Sequence, residues 1–277
     1  MKLSVSIPTR NDNYGGKLIE TATYCLQTMS KTFDEVIVVD FGSVSPMYPI
    51  LDKTITEKNG NIRIITVPEP WVAARFPGIT MADVIARNIG VRRAKNDIIA
   101  SSNIDVIPST LRRFDFPQFD QGVFYSSNKF MINHDMVTAL RTQGMSWEDI
   151  QEHLFETRSQ YERQGDVLTD PWSKVSGCGD FQVGHRNIWF NSEVRGFEET
   201  LVHMDYADSN LHKKIIENAH VEVRPARFFY VFHQSHLSNR SSGIQFNNPA
   251  TSLFGFAKTT NPETWGFSNE KFEEFFI

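Results

Sequence analysis

The run Glu35-Val36-Ile37-Val38-Val39 constrains this chain more than any other segment. Four consecutive β-branched residues favour a strand, and the lack of polar alternation fits one covered on both faces. It stops at Asp40-Phe41-Gly42-Ser43, a group of turn formers. Comparable segments surround it. Residues 3–7 form a short apolar strand that ends at Pro8, residues 62–67 a third strand and residues 97–101 a fourth. Between them, residues 17–29 place Leu18, Ala22, Cys25, Leu26 and Met29 at helical spacing, and residues 80–94 do the same with Ala82, Ile85, Ala86 and Ile89. Residues 46–57, with Pro46 in the first turn, predict a further helix. Strand and helix thus alternate, which predicts an α/β fold with a mostly parallel central sheet flanked by helices.

In such sheets ligands bind beyond the carboxyl ends of the strands, where the strand order reverses. Three strand ends therefore matter: Pro8-Thr9-Arg10-Asn11, Asp40-Phe41-Gly42-Ser43 and Asn103-Ile104-Asp105. The second half is less regular. Residues 147–163 read as an amphipathic helix capped by Ser146, residues 203–219 as a helix beginning near Asp205, and residues 221–232 as two strand pieces leading into His233-Gln234-Ser235-His236. From Phe254 onward the tail is rich in Phe. With no repeat and no linker, the expectation is one domain over 1–277: a nucleotide-binding half at 1–110, an acceptor and catalytic half at 111–240, and a tail at 241–277.

Composition excludes several classes. With 277 residues, 40% hydrophobic and 22% charged, the chain is an ordinary globular one. Its 28 Lys+Arg against 33 Asp+Glu give a net charge of −5, which argues against a nucleic-acid partner. Cys25 and Cys178 allow at most one disulfide and no four-thiolate zinc site. No apolar stretch reaches the roughly 20 residues of a membrane span, and the opening MKLSVSIPTRND lacks a signal h-region. The expectation is a soluble, cytoplasmic protein. There is no GxGxxG after a strand, no phosphate-binding GK[ST] loop, no HExxH and no GxSxG, so dinucleotide dehydrogenases, P-loop enzymes, zincins and nucleophile-elbow hydrolases are excluded.

Asn103 and Asp105 stand at i and i+2 after an apolar strand and would turn their oxygens to one side. Hard oxygen ligands of this kind suit Mg²⁺ or Mn²⁺ carrying a diphosphate; the competing reading is a strand-end Asp bonding its own turn. His233 and His236 follow another apolar strand, and either imidazole would complete the coordination of a borderline metal such as Mn²⁺; the competing reading is a pair of strand-end histidines hydrogen-bonded to backbone. Asp205 and Asp208 lie about one helical turn apart near a helix start, where the dipole favours acids and where one carboxylate would serve as general base.

The order of these segments carries a resemblance. Val5-Ser6-Ile7-Pro8-Thr9-Arg10-Asn11, Glu35 to Ser43, Ala86-Arg87-Asn88-Ile89-Gly90-Val91-Arg92-Arg93-Ala94 and Asn103-Ile104-Asp105-Val106-Ile107-Pro108 together resemble family 2 glycosyltransferases of the GT-A fold. Gly179-Asp180-Phe181-Gln182 and Glu193 to Glu199 look like the segment before the catalytic acid in the galactosyltransferase-like branch, and His203-Met204-Asp205 falls at its acidic motif. The resemblance covers most of 1–240. It implies a Rossmann-like sheet and an inverting, metal-dependent transfer of a sugar from a nucleoside diphosphate donor, commonly UDP, to an acceptor hydroxyl.

By the same resemblance, Pro8, Thr9 and Arg10 would cradle the nucleotide, Asp40 the base, and Arg75 or Arg87 the ribose or phosphates. Asp105, as the last acid of a DxD motif, would hold Mn²⁺ or Mg²⁺ with His233 or His236. Asp205 would be the general base with Asp208 in reserve, and Asp180 and Trp189 would lie on the acceptor side. Two departures stand out: Asn103 replaces the first acid of DxD, keeping a carbonyl ligand but losing a charge, and Phe41 stands where the family often has a polar residue. Trp147, Trp172, Trp189 and Trp265 offer rings for stacking on sugars or for filling a core. Two other functions fit: a non-catalytic nucleotide-sugar-binding module, for which Asn103 speaks, and a sugar nucleotidyltransferase, which usually needs a Gly-rich loop that Ile7 to Asn11 does not supply.

Overall fold

The computed structural model describes residues 2–109, 119–164, 179–202, 207–226, 229–236 and 260–277. Its first half alternates as the sequence predicts: β1 (Leu3–Thr9), α1 (Leu18–Thr32), β2 (Glu35–Phe41), α2 (Tyr48–Thr54), β3 (Ile62–Val67), α3 (Glu69–Arg75), α4 (Asp83–Arg93) and β4 (Ile98–Ser102). β1 to β4 are parallel neighbours in the order β3-β2-β1-β4. Helix α3 has no counterpart among the expected elements; Pro70 lies in its first turn, where a missing N–H costs nothing.

The β-branched run of β2 explains the layering. Val36 and Val38 pack with α1 on one face, while Ile37 and Val39 pack with α4 on the other. Helix α4 approaches β1 so closely that a Cβ on Gly90 would collide with Ser6 Oγ, and Ser6 Oγ donates to the Arg87 carbonyl at 3.1 Å. That contact fixes the height of Arg87 above the sheet.

Beyond β4 the chain adds β5 (Val106–Pro108), β6 (Val123–Ser126), β7 (Lys129–Asn133), α5 (His134–Thr142), α6 (Trp147–Glu156), β8 (Glu162–Gln164), β9 (Phe181–His185), α7 (Arg186–Trp189), α8 (Ala207–Glu217), β10 (Glu222–Pro225), β11 (Val231–Ser235) and β12 (Glu273–Phe276). Among the described residues the main sheet runs β10-β6-β9-β4-β1-β2-β3-β12, with β9 and β12 antiparallel to their neighbours. A second sheet, β5-β11-β7-β8, packs on α5 and α6. Helix α6 starts as expected on Ser146, whose Oγ accepts from Asp149 N at 3.1 Å in a capping box. It ends at Glu156, short of the expected 163, because residues 162–164 pair with β7 instead.

The last strand closes the β3 edge. Buried Arg63 of β3 bridges Glu35 of β2 at 2.9 Å and Glu274 of β12 at 3.3 Å, and Phe275 stacks on Tyr48 with centroids 4.2 Å apart. Trp147, Trp189 and Trp265 are all buried in the apolar cores, so these rings fill the interior; Trp172 lies outside the described residues. No helix of the described residues is long and apolar enough to cross a membrane.

Buried His212 of α8 meets the Gln182 side-chain amide of β9 at 3.0 Å, an arrangement in which its Nε2 accepts and the ring is neutral. Burial pushes its pKa down to about 4, against the opposing field of Asp208. Because the folded value is depressed, the unfolded chain takes up the proton first as pH falls. Stability from this group is complete above about pH 6.5 and is lost towards pH 4. Urea unfolding at pH 7 and pH 4.5 is expected to show this loss, at most about 3 kcal/mol, shrinking in His212→Gln. An unchanged pH slope in that variant would remove His212 from the acid sensitivity.

Candidate functional site

Strand β1 has β2 on one side and β4 on the other, so the strand order reverses at its carboxyl end. A cavity of about 120 Å³ opens there, lined by Pro8, Thr9, Arg10, Asp12, Leu18, Met81, Asp83, Asn103, Ile104 and Asp105. Two buried oxygens of the lining lack a hydrogen-bonding partner: Thr9 Oγ1 and Asp105 Oδ1. Buried polar atoms are nearly always paired in folded proteins, so both are suited to a bound ligand. Arg10 reaches across the mouth to the Thr80 carbonyl.

Asp105 sits where the two sheets meet. β11 pairs antiparallel with β5, setting His233 opposite Val106, and Gln234 N donates to the Asp105 carbonyl at 2.9 Å. The register delivers both histidines to one carboxylate oxygen: Asp105 Oδ2 lies 2.8 Å from His236 Nε2 and 3.4 Å from His233 Nε2. Burial raises the Asp105 pKa, but the field of His233 and the hydrogen bond and field of His236 outweigh it and hold it below the ordinary carboxylate value. One ligand atom from each of the three residues falls within 4.8 Å of the others. One carboxylate and two imidazoles, with Asp105 Oδ1 unpartnered, form a donor set compatible with a divalent metal ion. Gly15 supports it from behind: at φ +71°, it packs so tightly that a Cβ would lie 2.7 Å from His236 Cβ.

Asn103 does not aim its oxygen at this centre, as the i and i+2 spacing suggested. Its Oδ1 accepts from Arg87 Nη2, and its Nδ2 donates to Asp180 Oδ1 at 2.6 Å. Arg87 is buried and also engages Asp83 at 2.5 Å, Ser101 Oγ at 2.9 Å and the Ser102 carbonyl at 3.3 Å. Its guanidinium is thus committed to the wall of the cavity. Asp180 pairs with Lys129 at 2.6 Å and does not line the cavity.

Other expected residues are placed elsewhere. Asp40 accepts from Ser43 Oγ and, at 2.7 Å, from Met47 N; burial raises its pKa against these bonds. Both its oxygens hold the following loop, so the turn reading prevails over contact with a base. Arg75 lies over the Trp71 ring at 4.2 Å and pairs with Glu270 at 2.8 Å, away from the cavity. Trp189 is buried, its Nε1 donating to the Ile99 carbonyl at 2.9 Å, so it offers no face to an acceptor. Asp208 stands in the first turn of α8, its Oδ2 2.8 Å from where a Cβ on Gly179 would be. Asp205 lies outside the described residues, as does Cys178; Cys25 is a buried free thiol.

Several site residues were not singled out from the sequence. Asp12, Met81 and Asp83 line the cavity. Asp83 had a legible signal, since it stands four residues before Arg87 on one helix. Gly15-Gly16 was a further sign of close backbone approach. Gln234, buried between the histidines, joins the Thr21 carbonyl at 3.2 Å and His134 Nδ1 at 3.2 Å; nothing local in the sequence announces that role.

No protein-family model matches this sequence, and no curated protein matches it. Solved structures do share its fold. The crystal structure of S. aureus TarS 1–349 in complex with UDP-GlcNAc superposes with a TM-score of 0.52 at 14% identity, covering 90% of this chain and 63% of that one. TarS 1–349 gives 0.51 at 15%, covering 84% and 60%, and the TarS structure of larger span gives 0.50 at 14%, covering 85% and 37%. This chain therefore spans less than two thirds of the TarS chains it matches. The shared architecture is a mixed α/β fold with a large, mostly parallel central sheet between helices.

Calorimetric titration with Mn²⁺ is expected to show one site in the wild type and none in Asp105→Ala. In Gly15→Ala the displaced His236 is expected to weaken the metal by about 10-fold or more, as loss of support behind a ligand does. Unchanged Mn²⁺ binding in Asp105→Ala would exclude the triad as its site.

Proposed function

We propose that the protein is a glycosyltransferase that moves a hexosyl group from a UDP-sugar to an acceptor hydroxyl, depends on Mn²⁺ or Mg²⁺, and inverts the anomeric centre. The observation that carries this reading is the pair of unpartnered buried oxygens, Thr9 Oγ1 and Asp105 Oδ1, lining a cavity at the strand switch point beside two histidines. A UDP-sugar donor is supported by the fold likeness to TarS 1–349, which was crystallised with UDP-GlcNAc. The whole of 1–277 is taken as one catalytic unit, which the pairing of β12 with β3 supports.

In this reading Pro8, Thr9 and Arg10 cradle the nucleotide, with Thr9 Oγ1 free to bond the donor. Asp105, His233 and His236 hold the metal, which when bound offsets the negative charge that develops on the leaving diphosphate. The acceptor proton goes to a carboxylate on the opposite side of the sugar, Asp205 or Asp208. Asp208 is held at the start of α8, against Gly179, where the helix dipole favours its anion. A single displacement with one base inverts the centre.

A second reading, a nucleotide-sugar-binding module without turnover, is favoured by the engagement of Asn103 with Arg87 and Asp180. Incubation with a panel of UDP- and GDP-sugars in Mn²⁺, Mg²⁺ or EDTA, following release of nucleoside diphosphate, separates the two. Metal-dependent release from one donor is expected, lost in Asp105→Ala. Asp205→Asn or Asp208→Asn, whichever is the base, is expected to lower release by about 10²–10⁴-fold while UDP binding is kept. Binding of UDP with no release from any donor, with or without saccharide acceptors, would select the binding module.

A further inference from the structure

Asn103 lines the cavity two residues before Asp105, yet its side-chain amide is already engaged on both sides. Its side-chain oxygen faces Arg87 and its side-chain nitrogen faces Asp180. Its backbone carbonyl accepts from the Cys25 thiol of α1 at 3.6 Å. The orientation of the amide is forced, because a guanidinium only donates and a carboxylate only accepts. A side chain between the two must accept on one side and donate on the other. Of the side chains of this size, an amide does both at once; a carboxylate would put two anions in contact at the 2.6 Å Asn103–Asp180 separation.

The contacts form a chain across the molecule: Asp83 and Arg87 on α4, Asn103 after β4, Asp180 before β9 and Lys129 on β7. β4 and β9 are antiparallel neighbours whose pairing ends at Ser102 and Phe181, and Ser102 Oγ donates to the Asp180 carbonyl at 2.9 Å. The Asn103–Asp180 bond therefore continues the β4–β9 ladder by one step, through side chains, at the point where the chain turns towards Asp105. Lys129 belongs to the second sheet, which also supplies His233 on β11, paired directly with β7, and His236 just beyond it.

We infer that Asn103 is a positioning residue and not a metal or donor ligand: its amide latches Arg87 to Asp180 and so fixes Asp105 against the two histidines of the neighbouring sheet. The latch rests on the metal triad proposed above but not on the identity of the donor. The acid missing from the first position of the DxD-like segment is, on this view, excluded by Asp180 rather than lost.

Three variants test it: Asn103→Asp, Asp180→Ala, and the exchange Asn103→Asp with Asp180→Asn. In the exchange, the carboxylate moved to position 103 accepts from Arg87 and from the amide moved to position 180. The oxygen of that amide still faces Lys129, so every bond of the latch is restored with the charges traded. The readout is Mn²⁺ affinity, with and without UDP, by calorimetry well below the melting temperature. Asn103→Asp is expected to weaken Mn²⁺ by about 10-fold or more, Asp180→Ala to weaken it in the same direction, and the exchange to return it to within about threefold of wild type. If position 103 were a ligand, the added carboxylate would tighten Mn²⁺ binding instead. Unchanged or tighter binding in Asn103→Asp, or an exchange no better than the single variant, overturns the inference. If Asn103→Asp does not fold, Asp180→Ala and the exchange carry the same comparison. Wild-type protein that binds Mn²⁺ but no nucleotide would sink the donor reading and leave the latch to be judged on Mn²⁺ alone; wild-type protein that binds no Mn²⁺ overturns the latch together with the triad.

Discussion

A carboxylate buried as deeply as Asp105 is tolerated only where opposite partial or full charges surround it, because desolvation of an unpaired anion costs several kcal/mol or more. Here those partners are two imidazoles from the end of β11. That requirement ties the two sheets together: β11 must lie against β5 in one register for the histidines to reach Asp105, and β7 must lie against β11. A slip of one residue would turn His233 to the opposite face and leave the anion unsatisfied. The site is thus a constraint on the fold as much as a product of it.

Much of the first half was legible because its strands are covered on both faces. A run such as Val36 to Val39 has one physical meaning in a chain of this composition, and the structure divides it between two helix layers. The second sheet was not legible in the same way. β5 and β8 are three residues each, and they are strands only because β11 and β7 lie beside them. Short pieces of this kind carry no periodicity of their own; their conformation is dictated by partners far along the chain.

The candidate site divides similarly. Asp105 and the two histidines were singled out because ligand chemistry restricts the residue types, and the structure brings all three together. Asp40 and Trp189 were assigned to ligands when each had a nearer partner: a tight turn claims the Asp40 carboxylate, and the core claims the indole. Sequence offers little defence against this, since a strand-end Asp looks the same whether it bonds its own loop or a ligand. Arg87, also assigned to the ribose or phosphates, belongs with Asp40 and Trp189, although its four-residue spacing from Asp83 was a local sign that its charge is matched within the helix.

The edge of β3 is completed by β12, and the ion pair that marks the junction joins Arg63 to Glu274, 211 residues away in sequence. Pairings of such span are late events in folding, because closing a long loop must precede any gain from the contact. While the chain is being made, β3 emerges long before β12, so a strand with buried Ile62, Ile64 and Ile65 waits with one side unpaired until β12 follows. An open apolar edge is a template for another chain. The nascent protein should therefore be most prone to aggregate in the interval between the synthesis of β3 and that of β12, and dependence on a chaperone would be concentrated there.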